Sequence, residues 1–164
     1  MKKILIIDTG GTFNKIYNPL NGDLDIEKSS KASRDIAKEW LVKLEVITII
    51  SKDSLEMTQS DREEIFQTIK SSSFSSIIVI HGTDTIDKTA NYLAKAKLSK
   101  KIILTGAMIP YSINSIEATA NFASAYGYIL GINRNGVYIS MNGIVKNYKR
   151  VIKNKEKGYF EDTK

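Results

Sequence analysis

The sequence contains no cysteine and only one histidine among its 164 residues. Without thiols the protein has no means to form disulfides, use a thiolate nucleophile or hold a metal ion through cysteine. The one histidine, His81, likewise argues against a metal centre built on histidines. We therefore expect no metal site.

A long apolar run is also lacking near the start of the chain. After Met1 only Lys2 and Lys3 precede a strand-like apolar run. That apolar run is too short for a signal peptide or a membrane span. We expect a cytoplasmic protein without a membrane partner.

Positive charge is in modest excess and unevenly distributed. The net charge is +6, and the segment from Lys146 onward holds seven Lys/Arg and three Asp/Glu, a net +4 that leaves +2 for residues 1–145. A basic tail can bind nucleic acid, but it is more often a solvated end, so nucleic acid is not an expected partner. The length suits one domain, and a hydrophobic fraction of 42% is enough for a sizeable core.

One segment combines a buried strand with polar residues at its end. Ile77 to Ile80 are four β-branched residues in a row, which is typical of a strand covered on both faces. His81-Gly82-Thr83-Asp84-Thr85 follows, and a helical pattern begins at Ile86. Since ligands bind beyond the carboxyl ends of parallel strands, this turn is a candidate site. The alternative is an ordinary capped helix start, because Thr and Asp are common N-cap residues.

A second segment has the same organisation. The apolar run Ile4 to Ile7 leads into Asp8-Thr9-Gly10-Gly11-Thr12-Phe13. Paired glycines let the backbone approach a ligand closely and aim N–H groups at negative charge. The spacing matches neither the dinucleotide-binding pattern nor the P-loop, so a nucleotide site is not indicated, and a plain loop is the alternative.

A long loop follows from Phe13 to Asp23, rich in turn-forming residues. A loop of this length usually covers something. Tyr17 is its only aromatic hydroxyl, and it either reaches the site or packs the loop against the body of the domain.

Strands and helices alternate through the rest of the sequence, which predicts an α/β domain with a mainly parallel sheet. The specific predictions are a helix from Ser33 to Lys43, a strand from Leu44 to Ile50, a capping box between Ser60 and Glu63, and a last strand from Val137 to Met141. A long helix should run from Asn114 to about Ile129. Its predicted inward positions are Ile116, Ala120, Ala123 and Gly127. Asn121 lies one position off that face and either braces a site loop or is exposed.

The Thr-Gly-Gly-Thr and His-Gly-Thr-Asp-Thr motifs together resemble those of the bacterial-type L-asparaginase family. Supporting segments are Asp53-Ser54-Leu55-Glu56-Met57-Thr58, Thr105-Gly106-Ala107-Met108-Ile109-Pro110, and Asn121. The resemblance extends from Met1 to about Lys153 and implies a three-layer, Rossmann/flavodoxin-like fold with helices on both faces of the sheet. From the resemblance we expect a short relative without the C-terminal domain of the two-domain members. Residues 1–164 are therefore expected to form one N-terminal-type catalytic domain.

The resemblance implies an amidohydrolase acting on L-asparagine and suggests a role for individual residues. Thr12 is the implied nucleophile, with Tyr17 as its polar partner on a mobile lid. Thr83, Asp84 and Lys153 are the implied linked triad. The implied substrate-binding residues are Gly11, Asp53, Ser54, Gly82, Thr83 and Asp84.

Two positions carry an open question. Lys153 is assigned by counting from the last predicted strand, and Lys149 and Lys155 are its neighbours in the basic tail. Leu55 stands where the periplasmic-type members carry a polar residue, which puts one family contact in doubt.

The chemistry implied is amide cleavage through an acyl-enzyme formed on a hydroxyl group. A threonine hydroxyl needs a base, and a lysine can serve if part of it is neutral. His81 is next to the motif but is expected to point into the core. The backbone N–H groups of Gly11 and Thr83 are the expected oxyanion donors, and no organic cofactor is required.

Other interpretations stay open. The same site could sense an amino acid without turning it over, and the absent second domain favours this, because in the two-domain family a neighbouring subunit's C-terminal domain completes the pocket. Further interpretations are the asparaginase-like subunit of a tRNA amidotransferase and a truncated product. Losing one substrate contact predicts an affinity for asparagine of millimolar order. The family's dimers lead us to expect a homodimer or a higher homo-oligomer.

Overall fold

A six-stranded sheet lies at the centre of the computed structural model, which describes residues 3–40 and 42–163. The strands are β1 Leu5–Gly10, β2 Lys15–Tyr17, β3 Leu24–Ile26, β4 Glu45–Lys52, β5 Ser76–Ile80, β6 Lys101–Thr105, β7 Gly136–Met141, β8 Ile144–Asn147, β9 Val151–Asn154 and β10 Tyr159–Asp162. The helices are α1 Lys31–Glu39, α2 Gln59–Ser71, α3 Ile86–Lys95 and α4 Ser115–Gly131. Short 3-10 turns occupy Thr12–Asn14, Ser54–Glu56 and Tyr148–Arg150.

The strand order of the central sheet is β4-β1-β5-β6-β7-β8. The first five strands are parallel, and β8 pairs antiparallel with β7. From β1 the chain first adds β4 on one side and then adds β5, β6 and β7 on the other side. The topological switch point therefore lies between β1 and β5. In open α/β sheets ligands bind at such a reversal, beyond the carboxyl ends of the strands. The α/β prediction with a mainly parallel sheet is confirmed.

Alternation along the buried strands divides the core into two layers. Ile7 and Val79 face α2 and α3, where they pack against Ile65 and Leu93. Ile6 and Ile78 belong to the opposite cluster, with α1 and α4. Helices therefore cover both faces of the sheet, as the resemblance implied.

Two hairpins stand outside the central sheet. Strands β2 and β3 pair antiparallel directly after the first polar strand end. Strands β9 and β10 pair in the same way near the end of the sequence. The tail beyond Asn142, for which the sequence shows no clear period, is thus built from short strands that carry Lys153 back toward the sheet.

The predicted boundaries of the first helix are wrong. Helix α1 begins at Lys31, with Ser30 at its N-cap in the left-handed conformation (φ 56°). The Glu27 carboxylate accepts from the N–H groups of Ser29 and Lys31, at 2.6 and 3.0 Å, and so serves the helix start. The helix ends at Glu39 rather than Lys43, and residue 41 lies outside the described residues.

The predicted capping box is displaced by two residues. Thr58, not Ser60, is the N-cap of α2, and its Oγ1 accepts from the Asp61 N–H at 3.2 Å. Asp61 accepts in return from the Thr58 N–H at 2.7 Å and is also held by Lys52. The extra ion pair favours Asp61 over Glu63 as the reciprocal partner. Strand β4 likewise extends beyond Ile50 to Lys52, because Lys52 pairs with Gly10.

The inward face of α4 is also not the predicted one. Ile116 is exposed, and the buried positions are Ala118, Asn121, Phe122, Ala125 and Ile129. The small residues of the helix predict a different packing face, but the aromatic ring of Phe122 sets the orientation by packing against Phe13 and Trp40.

Candidate active site

Two polar turns meet at the carboxyl edge of the sheet, where β1 and β5 lie side by side. We call residues 9–14 the first turn and residues 81–85 the second turn. Gly11 has φ of 78°, and a Cβ atom added to it would lie 2.5 Å from the Cα atom of Gly82. The two backbones therefore touch, and the positive φ explains why glycine is needed there.

The first turn is held by buried groups from its own neighbourhood. One carboxylate oxygen of Asp8, Oδ1, accepts from the Gly10 N–H at 2.9 Å and from the Asn14 side-chain amide at 2.7 Å. Both Asp8 and Asn14 are buried. Thr9 ties the turn to β5 by donating to the carbonyl oxygen of Ile80 at 2.7 Å. These contacts fix the 3-10 turn that presents Thr12 at the edge of the site.

Asp8 is a buried acid that the sequence reasoning missed. Burial raises its pKa to about 6, although bonds from Gly10, Ser30 and Asn14 oppose the rise. Its second oxygen, Oδ2, has no well-aligned hydrogen-bond partner within the described residues, although the Ser30 hydroxyl lies near the carboxyl group. The available signal was an acidic residue at the end of an apolar strand.

The second turn brings three side chains into direct contact. Lys153 on β9 places its Nζ 2.9 Å from Thr83 Oγ1 and 2.7 Å from Asp84 Oδ1. The Lys153 side chain is only 13% exposed, whereas that of Asp84 is 36% exposed. An amine, a hydroxyl and a carboxylate within hydrogen-bonding distance can exchange and stabilise a proton.

Ser54 fixes the second turn from below. Its Oγ accepts from the N–H groups of Asp84 and Thr85, at 3.1 and 3.3 Å, and its carbonyl oxygen accepts from the Thr85 hydroxyl at 2.8 Å. A Cβ atom on Gly82 would lie 2.6 Å from the Cβ of Ser54. Ser54 is buried, so its side chain is both part of the scaffold and a neighbour of the open edge.

His81 lies in the core, as expected. Its ring nitrogens contact the Gly82 carbonyl oxygen at 2.7 Å and Thr89 Oγ1 at 2.8 Å. Burial lowers the pKa of His81 to about 4, which keeps the ring neutral near pH 7. Its hydrogen bonds brace the start of the second turn against α3.

Asp53 is tied to the first hairpin by an ion pair that the sequence did not predict. Lys15 Nζ lies 2.9 Å from Asp53 Oδ2, and the Leu55 N–H donates to Oδ1 at 3.1 Å. Partial burial alone would raise the pKa of Asp53, but these two contacts and the nearby charge of Lys153 lower it below its usual value. This ion pair links the first residue of β2 to the residue that follows β4.

Tyr17 lies on the hairpin β2–β3, opposite Leu24, and is 62% exposed. No hydrogen bond within the described residues joins it to Thr12. Its exposure also argues against the alternative that it packs the loop onto the domain. Its contact with the implied nucleophile stays a prediction.

Two further sequence expectations have definite outcomes. Asn121 braces the loop after β6, because its amide donates to the Gly106 carbonyl oxygen at 3.0 Å and its Oδ1 accepts from the Asn142 N–H at 2.9 Å. The Gly11 N–H donates to the Lys52 carbonyl oxygen at 2.9 Å. That N–H is therefore occupied, and its predicted use as an oxyanion donor is wrong.

The donor set at this edge consists of hydroxyl groups, one amine and separate carboxylates. Across residues 3–40 and 42–163, no group of three or more His, Asp or Glu residues could hold a metal ion. No helix of the described part of the protein has the length and apolar character needed to cross a membrane.

Comparison with known proteins gives a consistent result. The sequence model of the family described as "Asparaginase, N-terminal" matches residues 3–159. The thermostable L-asparaginase from Thermococcus kodakarensis matches the fold with a TM-score of 0.83 and 22% identity, over 98% of this chain and 51% of that one. The probable cytoplasmic L-asparaginase from Campylobacter jejuni matches with a TM-score of 0.75 and 22% identity, over 93% of this chain and 50% of that one. This chain thus spans about half the length of both proteins.

Proposed function

We propose that this chain, which belongs to the asparaginase family, is an amidohydrolase that converts L-asparagine to L-aspartate and ammonia through a threonine acyl-enzyme. One observation carries the proposal. The Lys153 amine lies within hydrogen-bonding distance of the Thr83 hydroxyl and the Asp84 carboxylate. A lysine and a threonine in direct contact form a proton-transfer pair once the amine is neutral.

In the proposed reaction Thr12 Oγ1 attacks the side-chain amide carbon of asparagine. Its proton passes to the base pair of Thr83 and Lys153 and then to the leaving nitrogen, which departs as ammonia. Water next attacks the acyl-enzyme with the same pair as the base, which releases aspartate and restores the Thr12 hydroxyl. Oxyanion donation is assigned to the Thr83 N–H group, because the Gly11 N–H is bonded to Lys52.

Substrate recognition is proposed to use the carboxylates and hydroxyl beside the two turns. Asp84 retains an exposed carboxylate oxygen that can pair with the α-ammonium group of the substrate. Ser54, Asp53 and the backbone around Gly82 border the same edge. Glutamine is one methylene longer, so with its α-end held at Asp84 its amide would overshoot Thr12.

Location and assembly follow as lesser parts of the proposal. A cytoplasmic location is proposed by analogy with the Campylobacter jejuni relative, whose name describes it as cytoplasmic. Self-association into a homodimer or larger homo-oligomer is proposed because the hairpin β2–β3 and the loop after β6 expose several large apolar side chains.

The alternative candidate is a protein that binds an amino acid without hydrolysing it. The exposed position of Tyr17 favours this candidate, because Thr12 then lacks the polar partner that the resemblance implies. Ammonia release from asparagine and glutamine by the wild type, beside Thr12→Ala, separates the two. If the wild type releases ammonia and Thr12→Ala does not, the amidohydrolase function is supported. If asparagine binds in calorimetry but no ammonia is released, the binding function is supported instead.

A further inference from the structure

A cavity of about 460 Å³ opens beside the second turn. Thr83, Asp84 and Lys153 form part of its wall, and Thr12 does not. Its volume falls in the range of pockets that enclose ligands larger than a free amino acid. Asparagine held by its α-ammonium group at Asp84 would leave most of this space unfilled.

The cavity extends along helix α3. Both Thr85, before the first turn of the helix, and Asn91 line it. Six residues of helix span about 9 Å. At the far end the Tyr148 hydroxyl lies 3.4 Å from the Asn91 side-chain oxygen, which closes the groove between α3 and the 3-10 turn before β9. The space therefore leads away from Asp84 as an elongated groove.

The wall of this groove combines an apolar floor with a positively charged rim. Ile86, Val151 and Phe160 are buried residues of the floor. The rim carries three exposed lysines and one opposing carboxylate, and these are Lys88, Lys149, Lys155 and Asp87. Within residues 3–40 and 42–163 none of these three lysines forms an ion pair, whereas Lys153 is paired with Asp84. The rim thus has unpaired positive charge available to a ligand.

We propose that the substrate is an asparagine extended at its α-carboxyl end by an anionic group, as in a peptide whose N-terminal asparagine precedes an acidic residue. The inference rests on the proposed amidohydrolase function. Extension at the carboxyl end leaves the α-ammonium group free to pair with Asp84, and it directs the rest of the molecule into the groove. Hydrolysis breaks the bond between the carbonyl carbon and the nitrogen of the asparagine amide. Water supplies a hydroxyl group to the acyl carbon and a proton to the departing ammonia.

The test compares four substrates by ammonia release, namely asparagine and the dipeptides Asn-Glu, Asn-Ala and Asn-Lys. We expect kcat/KM to rank Asn-Glu above Asn-Ala above Asn-Lys, with about a tenfold ratio between the charged pair, since each exposed charge contact is weak. The ratio should shrink toward one at high ionic strength, because exposed charges are screened.

Two variants of the same helix provide a matched pair. Lys88→Met removes a rim charge, and Lys95→Met removes an exposed charge two turns further along α3, outside the groove. Lys88→Met should lower the Asn-Glu to Asn-Lys ratio two- to threefold. Lys95→Met should leave the ratio unchanged. Equal changes in both variants would show that net charge, not the groove, sets the preference, and would overturn the proposal.

The outcomes also separate this proposal from the proposed function. If asparagine is hydrolysed and Asn-Glu is no better than Asn-Lys, the extended pocket is wrong and the amidohydrolase stands. If no substrate releases ammonia, the amidohydrolase fails, and calorimetry on the wild type decides the pocket. Tighter binding of Asn-Glu than of Asn-Lys would then support the groove, and equal or absent binding would overturn it.

Discussion

The two turns at the carboxyl edge of the sheet differ in where their side-chain braces come from. The first turn has a local brace, because Asp8 contacts Gly10 and Asn14, two and six residues away, and it is tied to the neighbouring strands through Thr9 and Gly11. The second turn is braced by residues from distant parts of the sequence. Ser54 lies 30 residues before Asp84, and Lys153 lies 70 residues after Thr83.

This difference has a physical consequence. Local contacts cost little conformational entropy to form, so the Asp8 brace can form at the end of β1 alone, whereas the bonds of Thr9 and Gly11 also need β5 and β4. Distant contacts require several elements, since β4 and β5 of the central sheet and β9 of the last hairpin must be in place before Ser54 and Lys153 reach the second turn. The local brace of the first turn should therefore respond to changes in one acid, and the second turn to changes in several elements of its scaffold.

The largest effect is expected when the threonine hydroxyl group of either turn is removed. Thr12→Ala and Thr83→Val should each lower ammonia release by at least about a hundredfold with the fold intact, the usual weight of a nucleophile or proton-transfer group. Turnover and circular dichroism are measured together. If only one variant loses activity, the two turns do not act in one reaction and the role of the other threonine is wrong.

Next in size is the loss of the distant amine. Lys153→Met should lower turnover by about a hundredfold, because Thr83 and Asp84 lose their shared partner. Lys157→Met, an exposed lysine in the loop of the same hairpin, is the control and should retain activity. An active Lys153→Met variant would show that the assignment of the tail lysine is incorrect.

A third prediction tests the contact between the second turn and Ser54. Gly82→Ala would place a Cβ 2.6 Å from the Ser54 side chain, so it should destabilise the fold by about 2–3 kcal/mol. Gly127→Ala adds the same methyl group on α4, where nothing lies within 4 Å. It should stabilise the protein by about 0.5–1 kcal/mol. Urea unfolding of both variants checks this, and a neutral Gly82→Ala would mean that Ser54 and the second turn can separate.

The sequence predicts the fold because its signals are local, whereas the members of the candidate cluster come from the family resemblance. Apolar runs such as Ile77 to Ile80 mark the buried strands, and the polar residues that follow fall at one sheet edge for topological reasons. The three-way contact of Thr83, Asp84 and Lys153 matches the triad implied by the resemblance. For Asn121 the sequence leaves two alternatives, a brace on a site loop or an exposed side chain, and the structure shows the brace.

The failures have a common cause, which is that side-chain partners from other elements decide them. Asp61 replaces Glu63 in the capping box because Lys52 on β4 also binds it. The buried face of α4 differs from the predicted one because Phe122 stacks on Trp40, the C-cap residue of α1. Lys15 and Asp53 are 38 residues apart, and no periodicity connects them. Composition and spacing carry no information about such pairings.

The smallest expected effect concerns the acid under the first turn. The folded pKa of Asp8 is raised by burial from 3.8 to about 6, so between those values the folded state binds more protons than the unfolded state. The stability contributed by this group therefore falls as the pH rises through that window. Above pH 6 the loss in the free energy of unfolding amounts to about 3 kcal/mol, the difference between the two pKa values expressed as energy.

Asp8→Asn keeps an oxygen that can accept from Gly10 and Asn14 but removes the buried charge. It should stabilise the protein by about 1–3 kcal/mol at pH 7, and the gain should disappear as the pH falls to about 4. Other acids, including Asp53 and Asp61, have lowered pKa values and act in the opposite sense, so the measurement is the difference between wild type and variant in urea unfolding at several pH values. Asp23→Asn, the same change at an exposed position, controls for net charge. A difference that stays constant from pH 4 to pH 7 would mean that the first turn does not depend on a buried ionisable acid, and the contrast between the two turns would lose its basis.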